Sequence, residues 1–342
     1  MENTLKANTK EFSLRAKLKL YKKRASEIES CLAKRPGEWG KFQSEFNSEV
    51  NNIFRDIMIF EKLNFAAGQE EKVYKLKKIF INRIRDLFLK GVYNEWSLRK
   101  PFGYAGDFKI IDDIYQNNPT TNGFVRLFDN YFQMSAISVA VRNRKEDFKR
   151  LISNFVSDKQ GRILRIMDLA SGPCRDLKEI LSSDRDEQLY RNVTFDCFDS
   201  DERSIKYAKT TLASYKNVNF IKENAMRITF RKNVYSVIDK KYDFIYSTGL
   251  FDYLSERVAI ALINNLKKLL NPNGILAIST VRDKYSNPSV HYMEWVGDWN
   301  LIYRDDEEFR DIFLKAGFRR DNLQTQYEQQ GIMQYIIASN KS

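Results

Sequence analysis

The sequence is poor in several residue types that would narrow its function at once. Its 342 residues include one histidine, three cysteines, six prolines and fourteen glycines. The cysteines, Cys31, Cys174 and Cys197, have neither zinc-site spacing nor the even number of a disulfide framework, which predicts a reduced protein with no metal. No apolar run approaches the roughly 20 residues that span a bilayer, and the first residues lack the apolar core of a signal peptide. We therefore expect a cytoplasmic protein without a transmembrane segment.

Apolar residues and positive charge are abundant. Apolar residues make up 43% of the chain and aromatic residues 13%, and the length suggests more than one hydrophobic core. The formal net charge is +12, but basic and acidic residues alternate along predicted helices, which favours a solvated surface over a nucleic-acid partner. Residues 14–23 could form a basic amphipathic helix. We expect it to pack on its own protein, with membrane-surface binding as the alternative.

The first part of the chain has helical periodicity. Val73, Leu76, Phe80, Ile84 and Leu87 share one face of a helix that Gly91 would stop. A second long helix is predicted from Phe124 towards Phe155. Residues 1–157 are therefore expected to form a helical region that acts as a lid, a substrate-binding element or a dimerisation surface, so a homodimer is one option.

From Leu164 onwards, short β-rich runs alternate with helical stretches, which is typical of a mostly parallel sheet. Strands are predicted at residues 164–169, 193–198, 218–222, 244–247 and 275–280, and a terminal antiparallel hairpin at 323–327 and 332–338. The polar turn at residues 158–161 is the predicted domain boundary. The fold class is therefore α/β, with a Rossmann-like sheet over residues 158–342.

A cofactor loop is predicted where the first strand ends. Residues 168–176 read Asp-Leu-Ala-Ser-Gly-Pro-Cys-Arg-Asp, so an acidic residue and a small-residue turn follow an apolar strand. Ala170 and Cys174 occupy places where a dinucleotide fingerprint has glycines, and Pro173 removes one N–H donor. These departures favour S-adenosylmethionine (SAM) over a pyrophosphate cofactor.

Three further strand ends carry polar residues that suit the same cofactor. Asp199 ends the second strand, where a carboxylate accepts hydrogen bonds from ribose hydroxyls, although it and Ser200 would also suit a helix N-cap. Asn224 and Ala225 follow the third strand, where an amide can pair with adenine or simply form a turn. Thr248 and Gly249 follow the fourth strand and could approach the sulfonium and the acceptor.

Together these positions resemble the class I SAM-dependent methyltransferases. Three more segments, residues 99–107, 249–254 and 292–304, narrow the resemblance to the bacterial family annotated for biosynthesis of the hydroxy-fatty-acid (hydroxypalmitic acid) methyl ester known as extracellular factor. The resemblance covers roughly residues 99–339 and implies a SAM cofactor and a small-molecule methyl acceptor, either a carboxylate or an amine or guanidine nitrogen.

The segment before the sheet supplies further cofactor candidates. Tyr104 could cover the cofactor and Asp107 could face the methionine ammonium, whereas the alternative for Asp107 is a helix N-cap. The full set of cofactor-binding candidates is Arg99, Tyr104, Asp107, Asp168, Ala170, Gly172, Asp199, Ser200, Asn224, Ala225, Thr248 and Gly249.

Methyl transfer needs alignment more than acid–base chemistry, so few catalytic residues are expected. Arg304, Tyr253 or Tyr104 could orient a carboxylate, and His291, Asp252 or Glu294 could remove a proton from an amine. The substrate candidates are Phe251, Asp252, Tyr253, Tyr292, Trp295, Trp299 and Tyr303. The alternatives are a protein or RNA methyltransferase that docks through the basic helices, which would bind nucleic acid in a salt-sensitive way, or a non-catalytic SAM-binding scaffold.

Overall fold

A computed structural model describes the backbone of residues 2–159, 161–184 and 188–341, and the side chains from Leu14 onwards within those ranges. The chain divides into two compact units, one formed by Met1–Val139 with Asn287–Asn300 and the other by Ala140–Ser286 with Leu301–Ser342. No helix in the described ranges is both long and apolar enough to cross a membrane.

The first unit is helical. Its helices are α1 (Glu2–Lys34), α2 (Gly40–Ala66), α3 (Glu70–Arg83), α4 (Val92–Arg99), α5 (Phe108–Gln116), α6 (Gly123–Met134), the first turn of α7 (Ala136–Asp158), and α12 (Val290–Trp295). Aromatic rings form its core, because they bury large areas and pair at offset or edge-on angles. Tyr21 stacks on Phe88, with ring centroids 4.8 Å apart, and Phe46 meets Phe128 edge-on at 4.8 Å.

The second unit contains one seven-stranded sheet. The strands are β1 (Leu164–Leu169), β2 (Val193–Asp199), β3 (Val218–Lys222), β4 (Tyr242–Ser247), β5 (Leu270–Val281), β6 (Leu323–Tyr327) and β7 (Met333–Ser339). Their order is β3-β2-β1-β4-β5-β7-β6. The first five are parallel, and β7 is antiparallel to both β5 and β6. This topology confirms the predicted class I methyltransferase fold.

Within the described part of the second unit, five α-helices accompany the strands besides α7. They are α8 (Arg175–Ser183), α9 (Glu202–Thr211), α10 (Ala225–Phe230), α11 (Glu256–Lys268) and α13 (Asp306–Lys315). Leu262 and Ile263 of α11 and Phe309 and Phe313 of α13 are fully buried with Ile245 of β4 in one apolar core. The sequence alternates apolar and polar residues at helical spacing here, which gives each helix one face for the sheet.

Helix α7 packs on the sheet and carries a buried charged residue, Arg144. Phe155 contacts Phe244 near the start of β4, and Phe148 contacts Tyr246 two residues further along the strand, with ring centroids 5.0 and 6.1 Å apart. The helix therefore runs antiparallel to β4. The part of α7 that lies in this unit before Phe148 is therefore directed towards the carboxyl ends of the parallel strands, where open α/β sheets bind their ligands.

The structure differs from the sequence expectations in three places. The helix predicted to run through Ile84 and Leu87 and to stop at Gly91 ends at Arg83, and Arg85–Leu87 forms a separate 3-10 helix. The helix predicted from Phe124 to Phe155 is two helices, α6 and α7, because Ser135 has an extended ψ of 146° and ends α6. The compact units divide at Val139/Ala140, within α7, whereas the sequence suggested 157/158. Gln160, in the predicted boundary turn, lies outside the described residues.

Candidate functional site

The loop between β1 and α8 has an unusual backbone. Ala170, Gly172 and Cys174 have φ values of 57°, 55° and 50°, so three alternate residues are left-handed. This conformation suits glycine, whereas each L-residue with a Cβ pays roughly 1–2 kcal/mol for it. The two non-glycine positions explain why the motif resembles a glycine fingerprint only weakly in sequence while folding as a tight turn at the head of α8.

Asp199 ties this loop to the end of β2. Its Oδ2 accepts hydrogen bonds from the Gly172 N–H at 2.9 Å and the Ser204 hydroxyl at 3.3 Å, and its Oδ1 accepts from the Asp201 N–H at 2.8 Å. The Ser204 hydroxyl also lies 2.8 Å from the Gly172 carbonyl. Burial raises the pKa of Asp199 above its ordinary value, and these hydrogen bonds oppose the rise. A carboxylate has about four acceptor positions, so Asp199 retains capacity for a further donor.

Gly172 faces open space. A Cβ built at this position would meet no atom within 4 Å, so the turn presents bare backbone to the crevice at the strand ends. Such a surface lets a ligand approach the main chain closely. Gly172 and Asp199, joined by their hydrogen bond, lie side by side at the strand ends, where a hydroxyl-bearing ligand would find an acceptor.

Acidic groups are buried beside the loop. Asp168 and Asp176 are at most 9% exposed, and the Tyr246 hydroxyl donates to Asp176 at 3.1 Å. Burial, followed by repulsion from Asp176, raises the pKa of Asp168 well above its ordinary value of 3.8. The ligand atoms of Asp168, Cys174 and Cys197 lie within 4.8 Å of one another, a buried grouping that cysteine spacing in the sequence did not reveal.

The raised pKa of Asp168 predicts a pH effect on stability. The folded chain binds this proton more tightly than the unfolded chain does, so the contribution to stability is complete below about pH 3.8 and is lost as the pH rises through the higher folded pKa. We expect the free energy of unfolding of the wild type, relative to Asp168→Asn, to increase from neutral towards acidic pH. Urea unfolding at several pH values would measure this difference, and parallel profiles for the two proteins would contradict the burial of a titrating Asp168.

At the end of β3, Asn224 caps the helix that follows. Asn224 is exposed, and its side-chain oxygen accepts from the Met226 N–H at 2.8 Å. Asn224 thus caps α10, the turn-forming alternative considered above. Ala225 packs partly against the apolar core and Ser200 is exposed after β2. The adenine-binding role of Asn224 stays a prediction.

Asp252, in the loop after β4, is buried close to Arg144 of α7. Asp252 Oδ1 accepts from the Thr280 hydroxyl at 3.0 Å and the Val281 N–H at 2.7 Å, while its Oδ2 lies 3.8 Å from Nη1 of Arg144. Burial raises the pKa of Asp252, and the charge of Arg144 opposes this rise. The sequence reasoning missed Arg144. Its signal was a charged residue on the apolar stripe of α7, one turn before Phe148.

Arg304, which the sequence suggested as a substrate ligand, is already engaged. Its Nη1 donates to the Phe251 carbonyl at 2.8 Å and its Nη2 donates to the Leu254 carbonyl, and the residue is 5% exposed. It thereby holds the loop after β4 in shape. Phe251 is fully buried, whereas Tyr253 is 41% exposed and Tyr303 is half-buried. Thr248 and Gly249 are half-buried at the strand end.

The helical unit contains the remaining candidates. Asp107 is buried and caps α5, accepting from the Lys109 and Ile110 N–H groups, and its other oxygen accepts from the Trp96 indole at 2.8 Å. This matches the N-cap alternative. Arg99 is exposed and pairs with Glu95 at 3.3 Å, and Tyr104 is 40% exposed. Their roles at the cofactor stay predictions.

The aromatic segment predicted to line a substrate pocket lies in the core of the helical unit. Tyr292 meets Phe54 and Tyr131 edge-on and donates to Asn94 at 2.8 Å. His291 is fully buried, with Nε2 lying 3.1 Å from Glu61. The candidate residues with buried side chains in this part of the chain are His291, Tyr292, Glu294, Trp295 and Trp299. Their contacts within the unit are those of packed residues, and their substrate or catalytic roles stay predictions.

Trp295 gives a test of this packing. It is 1% exposed and contacts Phe80, with ring centroids 5.4 Å apart. Trp295→Ala is expected to lower the free energy of unfolding by about 3–5 kcal/mol because it leaves a large cavity. Tyr74→Ala is the matched control, since Tyr74 is 62% exposed in the same unit and surface changes are usually worth less than about 0.5 kcal/mol. Equal stability of the two variants would contradict the buried placement.

The family to which the chain belongs follows from its sequence. Residues 161–336, more than half of the chain, match the family described as the methyltransferase domain, and the chain belongs to that family. A comparison with curated proteins found no match to this chain.

Several solved structures are similar to the chain at low sequence identity. A protein from Bordetella parapertussis described as a possible exported protein is 14% identical, with a TM-score of 0.55, and the match covers 88% of this chain and 97% of that one. Magnesium protoporphyrin IX methyltransferase from Synechocystis, with bound S-adenosylhomocysteine (SAH), is 12% identical over 73% of this chain and 98% of that one, with a TM-score of 0.47. An O-methyltransferase family protein from Burkholderia thailandensis is 17% identical over 63% of each chain, with a TM-score of 0.43.

The chain is a SAM-dependent methyltransferase, and SAM is its cofactor. The site fits this cofactor, because the open position at Gly172 accommodates close approach to the backbone and Asp199 retains acceptor capacity for hydroxyl donors. Bound SAM supplies a methyl group attached to a positively charged sulfur. A nucleophile attacks this methyl group in line and displaces the sulfur.

Proposed function

We propose that the protein transfers the methyl group of SAM to a small molecule, and that the acceptor group is a carboxylate, giving a methyl ester. The alternative acceptor is an amine or guanidine nitrogen. Within the carboxylate class, we propose a hydroxy fatty acid such as hydroxypalmitic acid, because the segments at residues 99–107, 249–254 and 292–304 resemble that methyl ester family.

The state of Asp252 supports a carboxylate acceptor. A protonated amine must lose a proton before it can attack the methyl group, and this requires a base. Asp252 is a buried carboxylate in the loop after β4, but one of its oxygens already accepts two hydrogen bonds, from the Thr280 hydroxyl and the Val281 N–H. A carboxylate acceptor is already ionised at neutral pH and needs no such base.

The proposed roles follow from the same geometry. Asp199 accepts hydrogen bonds from the cofactor ribose, Gly172 gives the cofactor access to the backbone, and the side chains of Thr248 and Tyr253 line the acceptor end of the crevice. Arg304 holds the loop after β4 through the carbonyls of Phe251 and Leu254. The chain would contribute alignment of the reacting groups and exclusion of water, which supply much of the rate in such a displacement. We also propose a cytoplasmic location.

The acceptor class can be tested by labelling. The protein is incubated with hydroxypalmitic acid, or with a cell extract, and SAM carrying a labelled methyl group, and the product is treated with mild alkali. We expect the label to enter an acid-soluble or lipid-soluble small molecule and to be released as methanol, as from a methyl ester. Alkali-stable label in a small molecule would exclude a methyl ester and would fit an N-methyl product. Label in protein or RNA would support docking through the basic helices, and either result would contradict the ester proposal.

A further inference from the structure

Opposite charges separate at the strand ends of the second unit. Asp168 and Asp199 lie at the ends of β1 and β2, and Asp176 lies in the first turn of α8. The guanidinium groups of Arg144 and Arg304 lie by the loop after β4 and both act electrostatically on the carboxylate of Asp252, while Glu256 and Glu308 also act on Arg304. Acidic residues therefore gather on the β1 and β2 side of the strand ends, and the two arginines on the β4 side.

Of the two guanidinium groups, Arg144 faces the end of β4. Arg304 donates to the Phe251 and Leu254 carbonyls. The position that a Cβ would take at Gly249 lies 3.8 Å from Nη2 of Arg144, so this guanidinium lies beside the loop after β4. Arg144 is 4% exposed, and its salt bridge to Asp252 is long, at 3.8 Å.

The local fold holds Arg144 in this place. It lies one turn before Phe148 and two turns before Ile152, both fully buried, on the stripe of α7 that packs against the sheet. Because α7 runs antiparallel to β4, a charged residue at the start of the stripe reaches the strand end. A guanidinium fixed in this way is suited to bidentate binding of a carboxylate.

We propose that Arg144 binds the carboxylate of a ligand in the crevice at the end of β4. This inference rests on the proposed SAM site and extends it with a positioning residue. Two ligands offer the required group, the methionine carboxylate of the cofactor and the carboxylate of the methyl acceptor. Both place an anion on the β4 side of the strand ends, where the two arginines lie.

The binding test uses the full-length wild type, Arg144→Ala and Arg144→Lys, with Arg150→Ala as the matched control. Arg150 lies on the same helix with a side chain that is 61% exposed. SAH and 5′-methylthioadenosine are titrated in the first arm, since they share the adenosine but only SAH has the amino-acid carboxylate. Hydroxypalmitic acid and its amide are titrated in the second arm. Unchanged affinity for 5′-methylthioadenosine shows that each variant retains a folded site.

If the cofactor supplies the carboxylate, Arg144→Ala weakens SAH binding by about 10- to 100-fold, as expected for a charged hydrogen bond, and leaves 5′-methylthioadenosine unaffected. If the acceptor supplies it, SAH binding is unchanged and the preference for hydroxypalmitic acid over its amide disappears. In either case, Arg144→Lys recovers part of the affinity and Arg150→Ala behaves as the wild type.

The proposal is overturned if Arg144→Ala keeps the wild-type preference for SAH over 5′-methylthioadenosine and also keeps the wild-type preference for hydroxypalmitic acid over its amide. This result is distinct from failure of the proposed function, in which the wild type itself would bind neither SAH nor 5′-methylthioadenosine.

Discussion

Asp199→Ala is expected to reduce SAH affinity by at least about 100-fold. Its carboxylate would accept a hydrogen bond from a ribose hydroxyl, and a hydrogen bond to a charged group contributes about 1.5–3 kcal/mol. The change also removes the acceptor for the Gly172 N–H, so the cofactor turn loses its connection to β2. Isothermal titration with SAH measures the effect directly.

Two matched variants separate these causes. Asp199→Asn keeps an acceptor oxygen for the Gly172 N–H but loses the charge, so its affinity should lie between those of the wild type and the alanine variant. Asp201→Ala removes the cap that accepts the Arg203 N–H of α9, which costs stability of about 1 kcal/mol but should leave the affinity for SAH unchanged. Wild-type affinity in Asp199→Ala would refute the ribose assignment.

Gly172→Leu should also impair cofactor binding, for a steric reason. The side chain would enter the open space beside the turn, and the positive φ of 55° would cost roughly 1–2 kcal/mol of stability. We expect SAH affinity to fall at least tenfold, or about 1.4 kcal/mol, in the same titration.

Gly161→Leu provides the control for this substitution. Gly161 also has a positive φ, of 85°, and a Cβ there would meet no atom within 4 Å. The two variants should therefore lose similar stability in urea unfolding, while the change at Gly161, before β1, leaves SAH affinity intact. Equal affinities in the two leucine variants would place the cofactor away from the Gly172 turn.

The sheet could be predicted from the sequence because its signals are local. Each of the parallel strands is a short β-rich run between helical stretches, and Gln329, Gln330 and Gly331 separate the two runs of the terminal hairpin. The acid at Asp199 and the turn at Gly172 were found for the same reason, since each follows a recognisable strand. The structure brings these two residues into a hydrogen bond.

Contacts between residues that are distant in sequence could not be predicted in this way. Tyr292 and Trp295 form an aromatic pattern that suits either a pocket or a core, and partners distant in sequence, Phe54 and Phe80, determine that the rings pack in the helical unit. Arg144 was missed because its significance depends on the direction of α7 across β4. Arg304 was identified as a charge, but the carbonyls that it binds depend on the path of the loop after β4.

The most direct test of the account is equilibrium binding of SAH to the purified wild-type chain, measured by isothermal titration. The account predicts saturable binding of one SAH per chain, which competes with SAM and is lost in Asp199→Ala. A folded wild-type chain that shows no saturable binding of SAH or SAM would contradict the assignment of the β1 and β2 strand ends as the cofactor site.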